Sequence, residues 1–442
     1  MDSIEQRTIS KVTWRLVPFL ILCYFIAYLD RVNVGFAGPT MSKDLAFTAQ
    51  IFGAAAGIFF IGYFIFEVPS NMALNKFGAR VWIARIMFTW GILSGAQAYV
   101  TGSFSFNIVR FLLGIAEAGF FPGVIFYLTL WFPSAYRGRI IGWFMFAIPL
   151  SSAIGAPISG YILNMDGVSL FGTPLHGWQW LFIIEAIPSL ILTFVVLFYL
   201  TDRPADAQWL EPEERKWLQD RLDAEQRNRE SMVKISWQES LFNPRVIALG
   251  FVYMGIVVPL YGLSFFLPQI IKAFGGTNVQ NGFINAFPFA IGAVCMVLWG
   301  RLSDSTGERK WSTAFPVAMI AVGLFLAAST NDLTMKILAI TIASFGIFSA
   351  FAVFWTLPTS YLSGAAAAAG IAWINSIGNL GGYIGPQVFG YLKDTYGKEV
   401  PATGDFYGIM FLAAVAVIGV VLVLIVGHDP RLERAPEKIA AE

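Results

Sequence analysis

About twelve apolar blocks, each of 18 residues or more, follow one another along this 442-residue chain, and they fix its solvent before anything else. At a rise of about 1.5 Å per residue, a block of that length crosses a hydrocarbon core about 30 Å thick. One block would suggest an anchor, whereas a dozen make the membrane the medium in which the chain folds. Composition agrees: 57% of residues are hydrophobic and 13% charged, against about a quarter charged in soluble domains. The net charge of +1 provides no global field to draw in nucleic acid. The expected class is an all-α membrane protein of twelve transmembrane helices, surrounded by lipid and working as a monomer.

The expected spans are 16–38, 50–74, 81–100, 105–131, 139–163, 178–200, 246–271, 281–301, 311–328, 335–358, 366–392 and 405–427. An even number places both termini on one side, and the positive-inside rule assigns that side to the cytoplasm. With this orientation the short cytoplasmic segments hold fourteen Lys and Arg and the external loops five. The polar start of the chain lacks the apolar core and cleavage site of a signal peptide. Cys23 and Cys295 lie inside apolar blocks and read as packed thiols.

Residues 201–245 break the rhythm with ten acids and eight bases. The expected division is therefore an N-terminal six-helix bundle at 1–200, a cytoplasmic linker at 201–245, and a C-terminal six-helix bundle with its tail at 246–442. Within the linker, LEPEERKWLQDRL reads as an amphipathic helix offering Leu210, Trp217, Leu218 and Leu222; a solvated tether is the preferred reading. An internal repeat supports the two pseudo-symmetric halves. Gly300, Asp304, Gly307 and Arg309 follow span 8, and a shift of 229 residues lands on Asn71, Asn75, Gly78 and Arg80 after span 2. The pattern suggests a cytoplasmic latch between neighbouring helices, in preference to a charged turn that merely fixes topology.

A charged side chain at mid-bilayer costs about 2.5 to 3.5 kcal/mol on insertion scales, so such residues normally face a cavity and have partners. Here they are Asp30, Arg31, Glu67, Arg110, Glu117 and Glu185, all in the first half. Helix rise puts Asp30 and Arg110 at similar depth, level enough to pair. Arg110 and Glu117 share one helix face, and Gly114 between them lets another helix approach. Arg31 is the candidate for gripping a carboxylate, because a guanidinium stays charged and offers two parallel hydrogen bonds; the bland alternative is a structural ion pair. Acids outnumber arginines, and a surplus buried carboxylate can bind a proton near neutral pH, which makes Asp30 and Glu117 proton-site candidates. Glu67 reads as a gating or packing residue, as does Glu185. In the second half Asn375 and Asn379, four apart on one face, and Trp355 and Thr356 are candidates for the ligand chamber, with interhelical packing as the even alternative.

RLVPFLILCYFIAYLDRVNVGFA, GYFIFEVPSNMALNKFGAR and RFLLGIAEAGFFPGVIFYLTLWFPSAYRGR, together with the linker segment, resemble the anion:cation symporters of the major facilitator superfamily. The resemblance covers essentially the whole chain. It implies the major facilitator fold in a bacterial inner membrane and proton-coupled uptake of organic anions such as tartrate, phthalate, hydroxyphenylacetate, nicotinate or sugar acids. It further implies that Arg31 contacts the substrate carboxylate, that Asp30 and Glu117 carry proton coupling, and that Arg110 partners Asp30. Asn71 and Asn75 depart from the glycine and aspartate of the first loop signature, which weakens a first-half latch. The competing readings are an organic-anion or phosphate-ester antiporter and, outside transport, a membrane receptor. No enzyme, cofactor or metal is expected, since no phosphate-binding glycine loop, metal-ligand cluster or nucleophile–base pair is visible.

Overall fold

A computed structural model describes residues 3–230, 242–361 and 364–426. Its first half comprises α1 (Ile4–Val32), α2 (Val34–Asp44), α3 (Ala49–Phe77), α4 (Ala79–Ala96), α5 (Ser103–Glu117), α6 (Phe120–Trp131), α7 (Ser134–Met145), α8 (Ala147–Ile162) and α9 (Gly177–Tyr199). After α10 (Pro212–Glu230) come α11 (Pro244–Ala273), α12 (Asn278–Thr306), α13 (Lys310–Ala328), α14 (Leu333–Phe354), α15 (Thr356–Tyr361), α16 (Gly364–Tyr396) and α17 (Pro401–Val426). Every expected span, as far as residue 426, falls within a few residues of one of these helices or of two consecutive ones. Ten spans among the described residues are long and apolar enough to cross a membrane, and α4 and α16 run between them. The first helix starts at Ile4, well before the expected 16, because Ser3 and Gln6 form a capping box that begins it in the polar segment. His428, Arg431, Arg434 and Lys438 lie outside the described residues, as does the 231–241 part of the linker.

The face where α1 begins is termed proximal here, and the opposite face distal. Near the distal face the two sets of helices meet backbone to backbone. A Cβ on Gly53 of α3 would overlap the Pro386 carbonyl of α16, and one on Gly160 of α8 would meet the Asn278 carbonyl of α12. A Cβ on Gly282 would likewise meet the Ala156 carbonyl. Small residues permit this closeness, which in lipid replaces the hydrophobic effect as the source of association. Gly114 serves the same purpose inside the first half, where α3 crosses it at the Phe59 carbonyl and the Tyr63 amide. Gly114→Ala should therefore lower stability by about 1–3 kcal/mol through overpacking. Gly138→Ala, with no atom near the added methyl, should be neutral or slightly stabilising. Thermal unfolding of the purified variants followed by gel filtration checks this; equal melting of both would contradict it.

The linker helix does more than tether. Leu210 and Leu218 are buried, and Trp217 and Leu222 pack on the apolar core. Trp209 stacks on Trp131 at 5.3 Å, and the Arg15 guanidinium lies over Tyr199 and Trp209 at 4.6 and 4.9 Å. Lys11 bridges Glu211 at 3.1 Å and Glu214 at 2.8 Å, and Arg137 meets Glu225 at 3.2 Å. Burial pushes the Glu214 carboxyl up, but the Lys11 ammonium outweighs that and holds it below the usual carboxylate range. The exposed Lys11–Glu211 pair contributes at most about 1 kcal/mol, so the aromatic and leucine footprint, together with the more buried Lys11–Glu214 and Arg137–Glu225 pairs, holds α10 on the first half.

The loop signature after α12 behaves as a turn. Arg309 bonds Asp304 at 2.9 Å and Ser303 Oγ at 3.0 Å, and Gly307 closes the helix at φ +68°, a conformation that favours glycine. A Cβ on Gly300 would make only ordinary contact with Ala352. Among the described residues these side-chain contacts of Asp304 and Arg309 lie within their own turn, so they build a charged turn and not the expected latch between helices. In the first-half copy Asp202, just beyond α9, supplies the carboxylate that the loop lacks: it accepts from the Arg80 amide at 2.8 Å and faces the Arg80 side chain at 3.7 Å.

Candidate functional site

Neighbouring residues on a helix point about 100° apart, and α1 uses this to send Asp30 and Arg31 into different surroundings. Arg31 lines a chamber between the two sets of helices, together with Tyr24, Tyr63, Tyr253, Tyr261, Asn375 and Asn379. Its Nη2 donates to Glu117 Oε1 in a buried ion pair. Nη1 donates to the Tyr261 hydroxyl at 2.9 Å. The guanidinium also lies 5.3 Å from the Phe59 ring centre and 5.6 Å from that of Tyr63, a cation–π setting that suits a desolvated arginine. Nε has no hydrogen-bond partner among the described residues.

Glu117 is the last residue of α5. The chain then breaks through Ala118 (φ −53°, ψ 131°) and Gly119 (φ +86°) before α6 starts at Phe120. The positive φ at Gly119 favours glycine, and a side chain there would also strike Ser70. A carboxylate at a helix C-terminus opposes the helix dipole, so the Arg31 charge is what makes ionised Glu117 tenable in this buried position. Helices broken beside ion or anion sites are a recurring device in transporters, because the interruption supplies polar backbone at mid-membrane.

Asp30 faces the other way, into a cage made by α4 and α9. It accepts hydrogen bonds from Ser189 Oγ at 2.5 Å, Trp90 Nε1 at 2.9 Å and Ser94 Oγ at 3.1 Å. The expected pairing with Arg110 is absent. Arg110 instead donates from Nη2 to the Ala56 carbonyl at 2.8 Å and sits 5.2 Å from the Phe59 ring centre. Helix rise placed the two residues at one level, but it carries no information on direction around the bundle, and α1 turns Asp30 away from α5. Phe59 thus contacts two guanidiniums, those of Arg31 and Arg110.

From the second half, Asn375 and Asn379 both reach the chamber wall. Asn375 Nδ2 also donates to Glu67 Oε1 at 3.0 Å, a buried bond joining α16 to α3. Trp355 and Thr356 stand behind the wall at the break between α14 and α15. The Trp355 ring packs 4.9 Å from that of Tyr253, and the Thr356 hydroxyl donates to the Val353 carbonyl at 2.6 Å. The tyrosines are the contribution that sequence reasoning missed. Among 15 tyrosines and 41 phenylalanines aromatic character singles out none. Tyr261 had one available signal: the 229-residue offset carries Arg31 onto Leu260, its chain neighbour, so the repeat points to this turn of α11 without singling out the tyrosine. His176 caps the distal loop against Asp44 and Asp166, and both cysteines are free.

The sequence profile of the Major Facilitator Superfamily matches residues 20–386. A protein of Agrobacterium vitis named "Putative tartrate transporter" is 52% identical over 428 residues, covering 97% of this chain and 93% of that protein. The quinolone resistance transporter of Acinetobacter baumannii is 41% identical over 423 residues, with 96% and 95% covered. Among solved structures, a bacterial homologue of the human lysosomal transporter Spinster superposes with a TM-score of 0.76 at 15% identity, covering 94% of this chain and 97% of that one. At that identity the likeness concerns the fold.

Proposed function

Because this chain belongs to the major facilitator superfamily, and is therefore a multi-pass membrane transporter and not an enzyme, we propose that it takes up a small organic carboxylate together with protons by alternating access. In this reading the proximal face is cytoplasmic, the membrane is the bacterial inner membrane, and the units that rock are residues 1–200 and 246–442, joined by the linker. The distal seam between α3 and α16 and between α8 and α12 is the external gate, and the Glu67–Asn375 bond is part of the cytoplasmic closure.

The observation that carries the proposal is the Arg31–Glu117 pair at the chamber wall. An incoming carboxylate competes with Glu117 for the guanidinium. Once displaced, Glu117 is a buried carboxylate without a counter-charge at a helix C-terminus, and binding a proton is its least costly response. Anion binding and proton binding are thereby one event. The chamber then holds one ion pair, Arg31 with the substrate, and one protonated carboxyl, so it carries no net charge, which lowers the cost of closing it away from water. Asn375, Asn379 and the tyrosine hydroxyls can bond the remaining oxygens of a hydroxylated acid such as tartrate, the substrate named for the Agrobacterium relative. The relative named for quinolone resistance favours a second reading, in which a larger acid moves outward through the same site.

The test is uptake of radiolabelled tartrate, phthalate and a sugar acid into proteoliposomes with an imposed pH gradient. Accumulation that follows the gradient and collapses with a protonophore is expected. Uptake indifferent to both would remove proton coupling, and efflux driven by external proton loading would select the second reading.

A further inference from the structure

On the distal side of Asp30, a second pocket opens between α1, α8, α11 and α12, lined by Asn33, Ser151, Ser159, Ser264 and Asn285 among others. Half of its lining residues carry polar side chains, in a part of the membrane where polarity is costly. Asn33 is fully buried and both its side-chain polar atoms lack a hydrogen-bond partner among the described residues, as does Oδ1 of the 3% exposed Asn285. Behind the wall lies Glu185 of α9, 2% exposed. Ser159 Oγ donates to its Oε1 at 2.7 Å, while Oε2 has no hydrogen-bond partner among the described residues. The Asn33 amide is near Glu185 without meeting hydrogen-bond geometry.

One hydrogen bond and one polar juxtaposition therefore link α1 to α9. Ser189 is four residues beyond Glu185, on the same face of α9, and it donates to Asp30 at 2.5 Å. Asn33 is three beyond Asp30, on the same face of α1. Other groups turned toward the cluster are neutral: Trp90 and Ser94 from α4, Ser159 from α8 and Asn285 from α12. Asp30 is the charged neighbour, close enough to interact with Glu185 electrostatically. Ala156 of the wall also belongs to the seam against Gly282, so parting α8 from α12 admits distal water to this pocket.

We propose that the Asn33–Ser159–Glu185 pocket is a second proton site, loaded from the distal face when the seam parts and delivering to Asp30. In the loading step an O–H bond of a hydronium ion breaks and one forms on Glu185; in delivery the Glu185 O–H breaks and the proton bonds Asp30, with Ser189 alongside. The inference rests on the proton-symport reading and adds a route to it.

Three proteins should be compared in proteoliposomes: wild type, E185Q and E185D. The glutamine keeps an acceptor for Ser159 but cannot carry a proton. The initial rate of uptake driven by external acid is expected to fall about tenfold or more in E185Q, and to recover in E185D, with substrate Kd by thermal shift held near wild type. A wild type that ignores the gradient overturns symport and this route together. A wild type that responds, matched by a folded E185Q, overturns the Glu185 route alone. Should E185Q fail to elute as a monodisperse species, a hydrophobic carbodiimide applied to wild type decides, since it modifies carboxyls in the protonated form. Mass-spectrometric labelling of Glu185 that increases as external pH falls supports the site, and absence of label across the pH range overturns it.

Discussion

Arg31→Lys is expected to weaken carboxylate binding about 100-fold, the equivalent of about 3 kcal/mol. Charge is conserved in this variant, so a purely electrostatic role would survive it. The guanidinium, however, spreads its donors in a plane: Nη2 serves Glu117 while Nη1 serves Tyr261. A lysine ammonium is a compact point charge that cannot present two parallel donors to a carboxylate, and its shorter reach leaves Tyr261 or Glu117 unbonded. Each lost hydrogen bond to a charged group is worth about 1.5–3 kcal/mol. Isothermal titration of the purified variant with the best carboxylate found for wild type gives the answer. A Kd within threefold of wild type would reduce Arg31 to a structural partner of Glu117 and take the substrate assignment with it.

Much of the fold is legible in the sequence because the bilayer enforces it. Among the described residues length and apolarity alone mark ten of the spans, and the ends differ where local capping extends a helix, as at Ser3, where α1 begins twelve residues early. The docking of α10 is legible in part: Leu210, Trp217, Leu218 and Leu222 form an apolar stripe, and the stripe finds a surface. What hid that surface is its origin in distant residues, Trp131, Tyr199 and Arg15, which no local pattern connects. The same limit explains the site. The cost of charge in lipid makes Arg31, Glu117 and Asp30 conspicuous from sequence, yet which of them touch depends on direction around each helix. Arg31 and Glu117 meet, whereas Asp30 turns to Trp90, Ser94 and Ser189. Those partners are ordinary serines and a tryptophan, invisible until α4 and α9 are placed beside α1. Recurrence of the Asp304–Arg309 signature suggests a latch, yet it equally serves a turn that both halves need.

Glu117→Gln separates binding from driving. The amide is nearly isosteric, so α5 can still end at the same break and Arg31 retains an acceptor. What disappears is the charge that competes for the guanidinium and the ability to bind a proton. Exchange of labelled for unlabelled substrate, which needs only binding and rocking, should persist within a few-fold of wild type. Accumulation should fail: one proton moving with one monovalent anion supports about a tenfold concentration ratio per pH unit, the equivalent of about 1.4 kcal/mol, and the variant should settle near a ratio of about one under the same gradient. Substrate affinity should also lose its dependence on pH, because binding no longer requires a proton on the displaced carboxylate. The pair of measurements is informative in both directions. Loss of exchange together with accumulation would make Glu117 a structural support of the α5–α6 break. Accumulation at the wild-type ratio would move the coupling proton elsewhere, to the Asp30 cage and the Glu185 pocket behind it, and leave the Arg31–Glu117 pair as an anion gate that titrates with nothing.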